Sequence, residues 1–154
     1  MLSDEDRRTL LAIARRSVEA AVAGRPFAPP PDVSAALAVP RAAFVTCRTL
    51  EGDLRGCIGH TEAHWPTAEA VARMARAAAT QDPRFPPVRA EELPRLRLEI
   101  SLLTDPQPIT KEDIQIGVHG LIVERGSSRG LLLPQVAVER GWGVEPFLAH
   151  TCLK

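Results

Sequence analysis

Apolar residues recur at three- and four-residue steps through Leu10, Leu11, Ala14, Val18, Ala21 and Val22. That spacing predicts one amphipathic helix over residues 3–23. Ser3 ahead of Asp4, Glu5 and Asp6 supplies an N-cap and first-turn acids suited to the helix dipole, and Gly24 and Pro26 end the element. Ala42 to Leu50 reads as a strand through its β-formers Phe44, Val45 and Thr46, and the turn Glu51-Gly52-Asp53 returns the chain into a second arm, Leu54–Gly59. Helical spacing resumes over the Ala-rich stretch Thr67 to Thr80, opened by Pro66 and carrying Val71, Met74, Ala75 and Ala78 on one side. Leu96, Leu98, Ile100 and Leu102 then alternate with Arg97, Glu99 and Ser101. This is a half-buried strand whose polar residues share the outer face. Downstream come a short turn or helix at 110–114, and a second hairpin from 118–124 and 130–133 joined by Arg125 to Arg129. A helix over 134–140 is stopped by Gly141, and a last helix starts at Glu145. Hairpin followed by helix occurs twice, a faint sign of duplication.

Prolines interrupt the pattern at two places. Pro26, Pro29, Pro30 and Pro31 make residues 26–31 an extended connector. Asp82-Pro83-Arg84-Phe85-Pro86-Pro87-Val88 cannot be helix and reads as a rigid loop carrying an acid, a guanidinium and a ring. The register of the first hairpin is left open. A two-residue Gly52-Asp53 loop sets Arg48 opposite Cys57, and a three-residue Glu51-Gly52-Asp53 loop sets Cys47 there.

Nineteen basic and nineteen acidic residues leave no net field to draw nucleic acid or an anionic membrane. Seventeen of the basic residues are Arg, a skew that reflects genome composition more readily than a phosphate site. No apolar run reaches the ~20 residues of a membrane span, and the charged start lacks the layout of a signal peptide. Three irregularly spaced cysteines (Cys47, Cys57, Cys152) fit reduced thiols in a cytoplasmic protein. At 154 residues the expectation is one domain, or two small lobes, with a core that holds without metal or disulfide.

Within Leu54-Arg55-Gly56-Cys57-Ile58-Gly59 two glycines bracket one thiol. Glycine in a strand marks a bulge or a close approach of backbone or ligand, so open space is expected on either side of Cys57. Strand alternation places Arg55 and Cys57 on one face, an electropositive setting for a nucleophile; the alternative is a buried thiol acting as a small hydrophobe. A base would come from His60, His119 or Glu99. Glu99 is either a solvated strand residue or a carboxylate facing the thiol. Asp82 and Arg84 either wall a cleft or cap the turn before Pro83. Gly120 and Gly130 read as turn residues. His60-Thr61-Glu62-Ala63-His64 has metal-like composition but falls in a predicted loop, so no metal site is assigned. No phosphate-cradling loop, Cys-x-x-Cys or hydrolase elbow occurs, so no cofactor is assigned either.

Four blocks, Leu54–Gly59 (LRGCIG), Asp82–Phe85 (DPRF), Glu99–Thr104 (EISLLT) and Leu132–Ala137 (LLPQVA), resemble in order the AMMECR-type domain, known in bacteria and archaea as AmmeMemoRadiSam system protein A. The resemblance covers almost the whole chain and implies a single domain over 1–154, with its core at 41–154. It implies an α+β fold with an antiparallel barrel-like sheet flanked by helices, and two lobes around a cleft lined by LRGCIG. The candidate cleft residues are then Arg55, Gly56, Gly59, Asp82, Arg84 and Glu99, with Cys57 the candidate nucleophile. Memo-type and radical-SAM proteins are the implied partners, and the family brings no settled activity. It ordinarily continues beyond the segment matching Cys152-Leu153-Lys154, where this sequence stops. Two functions therefore stay open: a binding module without chemistry of its own, and a thiol-dependent enzyme.

Overall fold

The computed structural model describes residues 2–154. They form two compact units, Met1–Thr104 and Asp105–Lys154, each with its own apolar core.

The first unit contains α1 (Asp4–Val22), α2 (Ala35–Ala38), β1 (Ala43–Arg48), β2 (Leu54–Gly59), α3 (Thr67–Thr80) and β3 (Arg97–Leu102). Ser3 caps α1 reciprocally with Asp6, as the acids of the first turn anticipate. Asp6 also accepts a 2.5 Å bond from Ser34, pinning the far end of the proline connector to the start of α1. The sheet has strand order β2-β1-β3, antiparallel throughout. Pleating sends Ala43, Val45, Cys47, Ile58, Leu98, Ile100 and Leu102 to the face that packs on α1 and α3. Those helices are cross-tied by the buried Ser17 hydroxyl, which donates to the Ala72 carbonyl at 2.6 Å. Phe44, Thr46, Arg48, Cys57, Gly59, Arg97, Glu99 and Ser101 fall on the opposite, polar face.

The hairpin adopts neither of the registers anticipated. Its loop is Leu50-Glu51-Gly52, one residue earlier than expected: the Gly52 amide donates to the Thr49 carbonyl, and the Thr49 amide to the Asp53 carbonyl. Gly52, at φ 94°, supplies the left-handed residue that closes a three-residue loop. A bulge then absorbs Arg55, because Cys47 pairs with Gly56 whereas Arg48 pairs with Leu54. Cys57 consequently faces Thr46.

The second unit holds a hairpin of β4 (Leu121–Arg125) and β5 (Ser128–Leu132), then α4 (Pro134–Arg140) and α5 (Val144–Cys152). Its loop is the two residues Gly126-Ser127, with Gly126 at φ 60°, shorter than the five-residue connection expected. Ile114, Leu121, Leu132, Ala137 and Phe147 form its core. The expectation of a barrel-like sheet is corrected: among the described residues the strands make one three-stranded and one two-stranded sheet, both open. The fold is α+β. No helix is long and apolar enough to cross a membrane among the described residues.

Two glycines set how tightly helices approach these hairpins. A Cβ on Gly56 would lie 2.1 Å from the Ala78 carbonyl oxygen of α3, and one on Gly130 would lie 2.0 Å from the Thr151 carbonyl oxygen of α5. Gly130 is therefore a packing position within β5, not the turn residue expected. Gly56→Ala and Gly130→Ala must push a helix off its sheet, and each is expected to destabilise its own unit by about 1–3 kcal/mol. Gly143→Ala meets nothing within 4 Å and is expected to stay within ~0.5 kcal/mol of the parent. Urea unfolding followed by Trp65 in a Trp142→Phe background reads the first unit, and the converse background reads the second.

Candidate functional site

β2 is an edge strand, so every second residue presents an amide and a carbonyl with no ladder partner. At Cys57 those groups are met by side chains. Asp82 accepts the Cys57 amide at 2.9 Å through Oδ2, and Arg84 donates from Nη2 to the Cys57 carbonyl at 3.4 Å. Asp82 and Arg84 are in turn joined by two bonds, Nε to Oδ1 at 3.0 Å and Nη2 to Oδ2 at 2.8 Å, and the Arg84 amide donates to Oδ1 at 3.1 Å. The pair thus stands where a neighbouring strand's peptide would, and caps the edge. Pro83 between them favours the tight turn that turns both side chains to one strand residue. The Arg84 guanidinium holds the buried Asp82 carboxyl far below its ordinary value of 3.8 against the opposing effect of burial, with help from the Cys57 and Arg84 amides.

Because the Cys57 peptide points outward, Cys57 and Thr46 form a non-hydrogen-bonded pair of the ladder, the kind whose side chains stand closest. The Thr46 hydroxyl donates to the Cys57 sulfur at 3.2 Å. Thr46 is buried and Cys57 half-buried. Glu99 faces Thr46 from β3, so Cys57, Thr46 and Glu99 form one row across the polar face. Glu99 lies 3.5 Å from the Arg48 guanidinium.

The remaining candidates have structural partners. Arg55, displaced by the bulge, grips Glu92 with two bonds of 2.8 and 3.1 Å and donates to the carbonyls of Pro86 and Pro87 at 2.9 and 3.3 Å. It ties the proline loop to β2, and alternation alone does not describe its direction. That pairing, with the Arg89 amide, lowers the Glu92 carboxyl. The space expected beside Cys57 is filled. Gly56 is covered by α3, and a Cβ on Gly59 would fall 2.1 Å from the ring of Phe44, its cross-strand partner.

His60 and His64 lie in the bend between β2 and α3, as the loop reading requires, with ring centroids 6.2 Å apart. His60 Nδ1 bonds the Glu62 carbonyl at 2.5 Å, and His64 pairs with the Glu62 carboxylate at 3.0 Å. His119 accepts the Gln115 amide. No group of three or more His, Cys, Asp or Glu able to hold a metal ion occurs among the described residues.

Sequence reasoning missed Thr46 and Glu92. Thr46 needed the register, which the bulge conceals. Glu92 carried a weak signal, standing three residues after Arg89 where an acid returns to cap a turn, and its carboxylate does accept the Arg89 amide at 2.8 Å.

Comparison with known proteins places these features in a family. The AMMECR1 family model matches residues 11–154. A protein of Methanothermobacter thermautotrophicus is 47% identical over 161 residues, covering 99% of this chain and 83% of the relative. One from Thermofilum pendens is 44% identical over 170 residues, covering 99% of this chain and 80% of the relative. The crystal structure of an uncharacterized protein, PH0010, from Pyrococcus horikoshii is similar with a TM-score of 0.93 at 41% identity, covering 99% of this chain and 81% of that one.

Asp82→Asn keeps the shape of the clamp but removes its charge, and is expected to destabilise the first unit by about 2–3 kcal/mol at neutral pH. The folded carboxyl is depressed, so its contribution is fully present above the ordinary carboxylate range and is lost as pH falls through and below it. Unfolding curves of parent and variant should therefore converge below about pH 4. A stability gap unchanged between pH 7 and pH 3 would mean the carboxylate is not what holds β2.

Proposed function

The chain belongs to the AMMECR1 family, and on that premise we propose that it is a recognition module. The polar face of its three-stranded sheet presents the Cys57 thiol, in a fixed position, to a ligand or partner protein. The observation that carries this reading is the double restraint on Cys57, its peptide gripped by Asp82 and Arg84 and its sulfur bonded by Thr46. Holding a group before a ligand arrives removes ordering cost from binding. Arg84, whose side chain is 53% exposed, adds a charged group beside the same strand. Memo-type and radical-SAM proteins are the partners this reading assigns.

Thiol catalysis asks for a base within hydrogen-bond reach of the sulfur. Glu99 stands two strands from Cys57 across Thr46, roughly 9–10 Å by strand spacing, and the His60 ring nitrogen Nδ1 is engaged by Glu62. The first fact favours recognition; the second leaves the buried Nε2 of His60 without a partner among the described residues. The Thr46 bond supports a second reading, a thiol-dependent enzyme with Cys57 as nucleophile, since a donor at sulfur stabilises negative charge there.

Two measurements separate these readings from a purely structural cysteine. Cys57→Ala is expected to weaken binding of purified Memo-type or radical-SAM protein at least tenfold, read by surface plasmon resonance, with an unchanged unfolding midpoint; undiminished binding removes the thiol from the recognition surface. Thr46→Val should slow iodoacetamide labelling of Cys57 several-fold while Thr46→Ser preserves it, measured by mass spectrometry against the exposed Cys152. Cys47, which burial and then the nearby Cys57 push up to about 12, should stay unlabelled at neutral pH.

A further inference from the structure

The proline connector is bordered by open cavity on both flanks. On one side a groove of about 950 Å³ lies between residues 24–33 and the α3 residues Ala68, Glu69, Ala72, Arg73 and Arg76. On the other, about 490 Å³ opens against Arg16, Glu19 and Ala20 of α1. Residues 25–31 wall both. Of the α3 residues that border it, Ala68 and Ala72 are buried. Phe27 and Val33, packed in part against the core, line it with apolar surface.

Two features narrow the occupant. From Pro26 to Pro29 no backbone amide or carbonyl makes a backbone hydrogen bond to any described residue, leaving the carbonyls of 26–29, and the Phe27 and Ala28 amides, for another main chain, before the chain turns at residues 31–32. Pro26, Pro29 and Pro30 restrict φ along the part that precedes this turn, so little ordering is lost when a second extended segment lies along it. Charge supplies the other feature. Arg16, Arg25, Arg73 and Arg76 line the two cavities against Glu19 and Glu69, with the exposed Asp32 at the far end of the connector. Glu69 is bonded to Arg73 at 2.7 Å, and that guanidinium also lies 4.9 Å from the centre of the Trp65 ring. Arg76 uses one donor on the Arg25 carbonyl at 3.1 Å, which anchors it at the connector. The side chains of Arg16 and Arg25 make no hydrogen bond or ion pair with another described residue.

We infer that this groove binds an extended, acidic, partly apolar peptide segment of a partner protein, independently of the Cys57 face. Its backbone amides meet the connector's carbonyls, its carboxylates meet Arg25 and Arg76, and its apolar side chains enter over Ala68 and Ala72.

Fluorescence anisotropy of the full chain with a fluorescein-labelled Glu-Leu peptide tests this, against a Lys-Leu peptide of equal length. The Glu-Leu peptide is expected to bind with an affinity that falls as salt rises and that drops at least tenfold in Arg25→Glu/Arg76→Glu. The same double variant should gain affinity for the Lys-Leu peptide. Arg16 lines only the cavity on the α1 side of the connector, so Arg16→Glu should leave Glu-Leu binding within twofold of the parent; a tenfold loss there would place the peptide in the wrong cavity and overturn the proposal. Cys57→Ala should leave it unchanged, which keeps this result separate from the fate of the thiol reading. Equal binding of both peptides to the parent, indifference to charge reversal, or saturable binding of laurate without any binding of the Glu-Leu peptide would each overturn the proposal.

Discussion

One carboxylate organises the polar half of the first unit. Asp82 is buried, accepts the amide of an edge-strand residue and carries a bidentate guanidinium, so its oxygens satisfy groups from two stretches of chain at once. An edge strand with free amides and carbonyls invites pairing with another chain. Here the DPRF loop blunts that edge with side chains, and the same bonds fix the orientation of the residue carrying the thiol. Arg55 works from the other direction, reaching from the bulge to Glu92 and to carbonyls of the same loop. Loop and strand are thereby a single rigid piece. Losing either end of either bridge leaves a charge without its partner, a costlier outcome than never having had the pair.

The strand β2 meets two demands that conflict in one short stretch. Its inner face must let α3 approach until a helix carbonyl touches the strand, which only glycine at position 56 allows. Its outer face must hold a thiol steady in a segment weakened by two glycines. The weakness is offset from outside the strand, by the clamp on the Cys57 peptide and by the Phe44 ring laid over Gly59. The second unit repeats the inner half of this solution. Arg129-Gly130 occupies the second and third positions of its returning strand as Arg55-Gly56 does in the first unit, and Gly130 admits a carbonyl of α5 just as Gly56 admits one of α3. It has leucines, Leu131 and Leu132, where the first unit has Cys57 and Ile58. Close helix–sheet packing is thus common to both units, and the thiol belongs to one of them.

Much of the architecture was legible because it is local. The 3.6-residue spacing from Leu10 to Val22, the alternation from Leu96 to Leu102 and the prolines of 26–31 each act within one element, and those elements form where the pattern puts them. Register was not legible, since a bulge costs one residue of pairing and leaves no mark on propensity or hydropathy. That single residue moved Thr46 opposite Cys57 and turned Arg55 toward Glu92. The choice of Asp82 and Arg84 as cleft residues followed from the resemblance of the DPRF block, and their action as surrogate strand partners depends on contacts across more than twenty residues of sequence. The glycines show the opposite error. Read along the chain they promise empty space, but in three dimensions a missing side chain is room that a helix or a ring takes up.

What distinguishes a binding surface from a catalytic one in this fold is how the polar face is divided. Thr46 separates the thiol from Glu99 by a full strand, and its own hydroxyl is directed to the sulfur. A carboxylate that served as base would have to cross that row, yet Glu99 already lies beside Arg48, an arrangement that opposes its leaving. Proton transfer from Cys57 to Glu99 would need that pair to part. What the sheet and its loop supply at Cys57 is position: the clamp of Asp82 and Arg84 fixes its peptide and Thr46 fixes its sulfur.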